Sequence, residues 1–347
     1  MVNSNATHSL RKAEHLNITL SHDVESKELT TGFENYFFVH QALPELNASS
    51  IDFSCVLLGK RLNAPVIISA MTGGTAEAQR INENLAQAAQ AAGVGMGVGS
   101  QRAALDDPDL VRSYRVRHLA PDILLFANLG AVQLNYGYGV DHCRRAVEMI
   151  QADALVLHLN PLQEALQPGG NTDFSGLISK IERVCRELQV PVVVKEVGWG
   201  ISESVARRLS QAGVAGIDVA GAGGTVWSEV EGLRANSKLS LRLAETFAGW
   251  GIPTAESIKM VRRGAPALPV IASGGIRDGL DAAKAIALGA DAVGLAAPLL
   301  KAADISADAA IEAIDELTRG LRLAMFCLGA PNLGVLKGSP YLKAKEA

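Results

Sequence analysis

Aromatic residues are scarce, at 5% of the chain, and cysteines number four with no CxxC pair among them. Cys55, Cys143, Cys185 and Cys327 are too widely spaced for a zinc knuckle and do not outline a disulfide framework, which makes a reducing compartment the default. Nor is there an excess of one charge. A net charge of −4 with a pI near 6.0 gives no general field for nucleic acid or an anionic membrane, so any phosphate must be held by local groups. Long apolar runs are missing too. The first residues, MVNSNATHSLRKAEHL, lack the apolar core of a secretion signal, and no stretch approaches the roughly 18 apolar residues of a membrane span. These absences read as a soluble, cytoplasmic protein with neither a membrane nor a nucleic-acid partner.

What is present is an aliphatic, glycine-rich chain of 347 residues and 36.4 kDa, 48% hydrophobic with 34 glycines. Disordered and fibrous classes are excluded, and the length fits either one large barrel with extensions or two domains. From about residue 64 a rhythm sets in: a short apolar run, a loop rich in Gly or Asn, a helical pattern, then another run. The runs are PVIISAM (65–71), GVGMGVG (93–99), DILLFAN (122–128), ALVLHLN (154–160), PVVVKEV (191–197), GIDVAG (216–221), PVIASGG (269–275) and AVGLAA (292–297). Between them lie amphipathic helices. Ala78, Ile81, Leu85, Ala88 and Ala92 share one face before the stop at Gly93, as do Leu177, Ile181, Val184 and Leu188 further on. Eight buried strands alternating with helices predict an α/β fold, a (β/α)8 TIM barrel over 64–347, with the doubly wound sheet as the alternative. Residues 1–63 precede the first strand as an N-terminal extension, which the family resemblance described below implies contributes to the substrate site, and 222–252 form a long insertion after strand six.

The fourth strand ends unlike the others. Leu155, Leu157 and Leu159 suit the helix layer, which turns Ala154, Val156, His158 and Asn160 into the lumen. Pro161 then stops the strand and delivers Gln163 and Glu164 to the loop above. A lone histidine there is ordinarily a satisfied core residue. Four polar groups converging at the C-terminal rim, with Lys195 and Glu196 presented by the next strand, indicate a site instead.

Glycine loops follow strands seven (Ser273–Arg277) and eight (Gly294–Pro298), where barrels of this class commonly hold a phosphate against backbone N–H groups. A third cluster, AGAGGT (220–225), closes strand six and offers Thr225 as a donor. Isolated glycines of this kind usually make only tight turns; their position in the fold favours phosphate binding. The basic pair Arg11 and Lys12, near His15, lies far away in sequence and calls for a second anionic site or a merely solvated tail.

RKAEH (11–15), SAMTGG (69–74), GSQRAAL (99–105), ANLGA (127–131), HLNPLQE (158–164), VKEVGWGIS (194–202), DVAGAGGTVW (218–227) and ASGGIRDG (272–279) together resemble the type 2 isopentenyl-diphosphate isomerases, flavoenzymes of isoprenoid biosynthesis. The resemblance spans roughly residues 11 to 335. It implies FMN at the mouth of a TIM barrel, Mg²⁺, NAD(P)H as reductant, and interconversion of isopentenyl and dimethylallyl diphosphate by a 1,3 proton shift with reduced FMN as acid and base. Matched motif by motif, it implies flavin contacts from Met71, Thr72, Gly73, Ser100, Asn128, Lys195, Thr225, Gly275, Arg277, Ala296 and Ala297. Diphosphate contacts are implied for Arg11, Lys12, Ser100, Gln101, Arg102, His158 and Asn160, and a metal contact for Glu164. Gln163 would sit beside the reacting carbons, where an amide orients or relays rather than ionises; with His158 it forms the expected catalytic pair. A homo-oligomer, tetramer or octamer, is implied as well, with the N-terminal arm reaching its own or a neighbouring site. Two rivals are weighed. FMN-dependent α-hydroxy-acid oxidases carry a His-Gly-Gly-Arg run where this chain has AGAGGTVW. A non-catalytic flavin-binding protein would need no metal ligand, no basic pair and no polar fourth strand.

Overall fold

Each of the eight apolar runs supplies one strand of a closed parallel barrel: β1 (Val66–Ile68), β2 (Gly95–Gly97), β3 (Leu125–Gly130), β4 (Ala154–His158), β5 (Val192–Lys195), β6 (Gly216–Asp218), β7 (Val270–Ser273) and β8 (Ala292–Leu295), with β8 returning to β1. The doubly wound alternative is excluded by that closure. This computed structural model describes residues 4–235 and 237–346. Strand register sets the working face. Gly130 pairs with His158, His158 with Lys195, and Lys195 with Asp218, so these four residues stand at one level around the C-terminal rim.

Alternation along the strands divides the apolar side chains into two cores. Ile67, Phe126, Val156, Val193 and Ile271 fill the lumen, and Leu57 and Leu62 of an antiparallel hairpin (Cys55–Leu57, Lys60–Leu62) join them. Lys60 of that hairpin lies 3.2 Å from Asp153 at the start of β4, which identifies the hairpin as a plug in the N-terminal end. Leu155 and Leu157 face the helix layer, as the sequence predicts. The helices follow the expected periods. Ala76–Ala92 starts at Thr75, whose side chain accepts from Ala78 N–H, and stops at Gly93 in the left-handed region. Its Ala78, Ile81, Leu85 and Ala88 are buried, with Ala92 half-buried at the margin.

Two departures from the barrel rhythm position the site. The N-terminal extension opens with a helix, α1 (Ser4–Ser21), that sequence periodicity does not announce. Its inward-facing apolar residues are few, Leu16 and Ile18 above all, so its stability comes from docking rather than from propensity. After it the chain runs over the strand-six loop, where Val226 N–H donates to Val24 O (2.8 Å) and Ser26 N–H to Gly224 O (2.9 Å). The insertion after β6 forms α2 (Trp227–Ala235) and α3 (Lys238–Thr246), and α2 packs against α1.

Candidate active site

Residues from the N-terminal extension and from all eight strand ends meet in one cavity over the rim. At its floor, His158 Nδ1 lies 2.8 Å from Asn128 Oδ1. Burial, reinforced by the charges of Lys195 and Lys12, lowers the imidazole pKa to about 4, so the ring is neutral at pH 7 and Nδ1–H donates to the amide oxygen. The ring leaves no room beside it: a Cβ on Gly130 would come within 3.1 Å of Nε2.

Pro161 starts a short helix (Pro161–Leu166) that separates Gln163 from Glu164. Asn160 Nδ2 donates to Gln163 Oε1 (3.0 Å) and Glu164 Oε1 (3.3 Å). Glu164, buried at 7% exposure, takes Asn171 N–H on its other oxygen at 2.6 Å, with Gln167 Nε2 at the 3.5 Å limit. Gln163 turns the opposite way and donates to Glu231 Oε1 of α2 at 3.0 Å. Glu231 is fully buried. Burial alone would keep it protonated, but His15 at 2.9 Å, Arg234 Nε at 2.8 Å and Gln163 outweigh that and hold its carboxyl at about 2. Trp227 sets its ring edge-on to His15 at 5.4 Å.

Glu231, Trp227 and Arg234 were not singled out by sequence reasoning, and His15 was noted without a role. A signal existed: Trp227, Glu231 and Arg234 fall at i, i+4 and i+7, one stripe of a helix inside the segment already marked as oversized.

Arg11 and Lys12 project from α1 into the cavity of their own chain. Lys12 Nζ donates to Ser100 O (2.5 Å) and to the Tyr114 hydroxyl, which itself donates to Ser100 O at 2.9 Å. Loss of hydration, and the neighbouring Arg11, lower the Lys12 pKa to about 7. Arg11 is lowered by burial and then by Arg102, with Glu164 and Glu231 opposing. Arg102 also lines the cavity, where its Nη1 donates to Asn171 Oδ1 at 3.0 Å.

Gln101 is the correction among the expected diphosphate contacts. Its fully buried side chain points away from the cavity, with Nε2 donating to Ala146 O (2.8 Å) and Oε1 accepting Asn128 N–H (2.9 Å). Side chains alternate about the chain at this turn, and the amide is consumed in joining β3 to its neighbour. Glu196 corrects another expectation. Instead of facing the rim it folds back to accept the N–H groups of Val197, Gly198 and Trp199 at 2.6–2.7 Å, shaping the loop after β5. Burial outweighs those donors and raises its carboxyl to about 7.

The eleven positions matched to a flavin share the same cavity. Met71, Thr72 and Gly73 line it from the loop after β1, Ser100 and Asn128 from the ends of β2 and β3, and Lys195 from β5. Thr225, Gly275, Arg277, Ala296 and Ala297 complete the far wall. Arg277 pairs with Glu25 of the N-terminal arm at 3.1 Å. The glycines have a second, internal reason. A Cβ on Gly274 would stand 2.1 Å from Gly221 O, and one on Gly275 2.3 Å from Gly223 O, so the loops after β6 and β7 pack backbone against backbone. Four buried polar atoms in the wall have no protein partner: Ser69 Oγ, Arg102 Nε, Gln133 Oε1 and Asn160 Oδ1. Buried polar groups are ordinarily satisfied, so the cavity fits a polar, phosphate-bearing ligand better than an apolar one. Among the described residues no three His, Cys, Asp or Glu side chains cluster as metal ligands. Glu164 alone fits Mg²⁺ only where ligand oxygens complete the shell, as that ion prefers.

Residues 9–107 and 160–342 match the FMN-dependent dehydrogenase family. The chain is 56% identical over 333 residues to the isopentenyl-diphosphate delta-isomerase of Synechococcus sp., covering 96% of each chain. It is 54% identical over 334 residues to the enzyme of that name from Nostoc sp., covering 96% of this chain and 95% of the other. The chain belongs to the type 2, FMN-dependent isopentenyl-diphosphate isomerase family. Solved structures of the same fold include a mandelate oxidase variant with a monooxide FMN adduct (TM-score 0.66, 20% identity, 99% of this chain and 100% of that one). A flavocytochrome b2 variant with pyruvate bound also matches (TM-score 0.67, 17% identity, 95% and 82%). At such identities only the barrel is shared. The loop after β6, AGAGGTVW, carries neither a histidine nor an arginine. Among the described residues no helix is long and apolar enough to cross a membrane.

Proposed function

We propose that this chain interconverts isopentenyl diphosphate and dimethylallyl diphosphate, with FMN and Mg²⁺ bound and NAD(P)H serving only to keep the flavin reduced. The observation that carries the reading is the meeting of two chemistries in one cavity. Arg11, Lys12 and Arg102 bring positive charge to its wall, and Gln163 and His15 line it while tied to the buried Glu231 carboxylate. The cations, with Ser100, neutral His158 and Asn160, hold the diphosphate; Gln101 is not among them. Glu164 anchors Mg²⁺ against the diphosphate oxygens. Reduced FMN, when bound, supplies the proton donor and acceptor that an unactivated alkene requires.

The chain's own residues then have defined tasks. Lys195, its ammonium donating to Glu196 O at 2.7 Å, is the cation of the flavin site and favours negative charge on a reduced ring. Glu231, held ionised, fixes Gln163 by accepting its amide N–H, so that the other end of Gln163 and the face of Trp227 confine the five-carbon chain. α1 covers the mouth and excludes water. The described cysteines are all free, in keeping with a cytoplasmic setting, and exposed Leu239, Leu243 and Trp250 on the insertion provide apolar surface for a homo-oligomer.

The test is substrate choice. Anaerobic, reduced enzyme given isopentenyl diphosphate and Mg²⁺ should yield the allylic isomer by proton NMR, while lactate and glycolate under air should give no product. Turnover of the hydroxy acids without isomerisation would replace this reading with an oxidase.

A further inference from the structure

Beneath the cavity lies an ion pair that the chemistry above does not use. Asp218 ends β6 directly beside Lys195 in the strand register and is buried at 4% exposure. Its Oδ2 stands 3.9 Å from Lys195 Nζ. Its Oδ1 accepts the Ser273 hydroxyl at 2.5 Å, from the end of β7, and Ala220 N–H at 3.3 Å. Ala220 itself lines the cavity with φ of 36°, a conformation that a side-chain-bearing residue rarely adopts without an external hold. Lys195 and Ser273 reach the cavity wall; Asp218 sits one layer deeper and does not.

An ammonium has three N–H donors. At Lys195 one is taken by Glu196 O, while the Asp218 carboxylate at 3.9 Å attracts the ammonium as an ion-pair partner without taking an N–H. A buried carboxylate also offsets the field that the ammonium projects upward. We propose that Asp218, steadied by Ser273, is the positioning residue for Lys195: it sets the height of the ammonium below bound FMN and tempers its charge. This rests on the reading that Lys195 faces the flavin.

Two consequences follow from electrostatics alone. Removing the carboxylate leaves more uncompensated positive charge under the ring and makes reduction easier; removing the ammonium makes it harder. If Asp218 acts through Lys195, its effect must fade when Lys195 is gone, which a double-mutant cycle detects.

The experiment measures the midpoint potential of FMN in the holoenzyme by anaerobic spectroelectrochemical titration for the native chain, Asp218→Asn, Lys195→Met and the double variant. The expected result is a positive shift for Asp218→Asn, a negative shift for Lys195→Met, and an Asp218→Asn step less than half as large in the Lys195→Met background. An unshifted or more negative potential in Asp218→Asn, while Lys195→Met shifts, overturns the inference and leaves the lysine reading intact. A full-size Asp218→Asn step in the Lys195→Met background overturns the positioning role. No shift in Lys195→Met overturns both. Should Asp218→Asn fail to retain FMN, Ser273→Ala keeps the carboxylate but removes its hydroxyl donor, so Asp218 offsets Lys195 more strongly: a negative shift that vanishes with Lys195→Met supports the inference, and no shift, a positive shift or a persisting one overturns it.

Discussion

Charged residues gather at both ends of the barrel, and the two ends treat them in opposite ways. At the N-terminal end one device occurs twice, four strands apart. Asp153, before β4, accepts Leu125 N–H (2.9 Å) and Arg117 Nη2 (2.7 Å); Asp291, before β8, accepts Val270 N–H (2.8 Å) and Arg262 Nη2 (2.8 Å). Each arginine spends its remaining donors on loop carbonyls, Arg117 on Ala120, Ile123 and Gln151, Arg262 on Pro266, Leu268 and Gly289. Burial opposes ionisation of both aspartates, yet these donors, joined by Lys337 at Asp291 and Lys60 at Asp153, outweigh it and hold both carboxyls below the usual range. At the C-terminal end Lys12 and His158 are pushed toward neutrality, and four wall atoms lack partners. One end is complete within the chain; the other is complete only with ligands. Stability and function are thereby divided along the barrel axis.

The comparison is sharpest where an exception sits among the unsatisfied groups. Glu231→Gln keeps the shape of the one strongly ionised carboxylate at the mouth but removes its charge. It should lower kcat by about 100- to 1000-fold, the usual scale for loss of a preorganised electrostatic partner, with the thermal midpoint changed by only a few degrees. Steady-state kinetics beside a thermal melt decide this; a large loss of stability with kcat intact would erase the division. Arg262→Met tests the other end. It leaves the carbonyls of Pro266, Leu268 and Gly289 without their arginine donor and Asp291 with only Val270 N–H and Lys337, and should reduce the unfolding free energy by about 2–3 kcal/mol in urea titration while kcat per folded enzyme stays unchanged.

Smaller effects separate the tasks within the mouth. Glu164→Gln removes one anionic metal contact and should raise the Mg²⁺ concentration for half-maximal activity by roughly tenfold, with FMN occupancy unaltered. An unchanged metal requirement would take Glu164 out of that role. Lys12 gives a pH signature. Its pKa in the folded chain is lowered to about 7, so it binds its proton below that pH and loses it above. Diphosphate prefers the charged form, hence KM should rise by up to about tenfold per pH unit above pH 7. Lys12→Met should show a higher KM that stays flat from pH 7.5 to 8.5; a flat profile in the native enzyme would return Lys12 to a purely structural tie between α1 and Ser100.

The same division explains what was legible in the amino-acid sequence. Barrel strands are local events, so each apolar run and the inward turn of His158 and Asn160 could be read from alternation alone. Contacts made across some 200 residues could not. Glu231 has no meaning until α1 brings His15 beside it, and α1 has too weak a pattern to announce itself. Gln101 and Glu196 show a related limit, since polar residues at the correct level face a ligand in one case and the backbone of the next loop in another, and spacing does not distinguish the two. The glycines of 273–277 read as a phosphate cradle, whereas much of the demand for them comes from the touching loop after β6.

A polar mouth that manages protons with no net redox change uses reductant only to reduce the flavin, so the decisive quantity is the stoichiometry of reductant to product. Enzyme is reduced anaerobically with a limiting, measured amount of NAD(P)H in the presence of excess isopentenyl diphosphate and Mg²⁺, and dimethylallyl diphosphate is counted against NAD(P)H consumed. The account predicts many product molecules per reductant, with consumption ending once the flavin is reduced; one NAD(P)H oxidised for each product formed would contradict it.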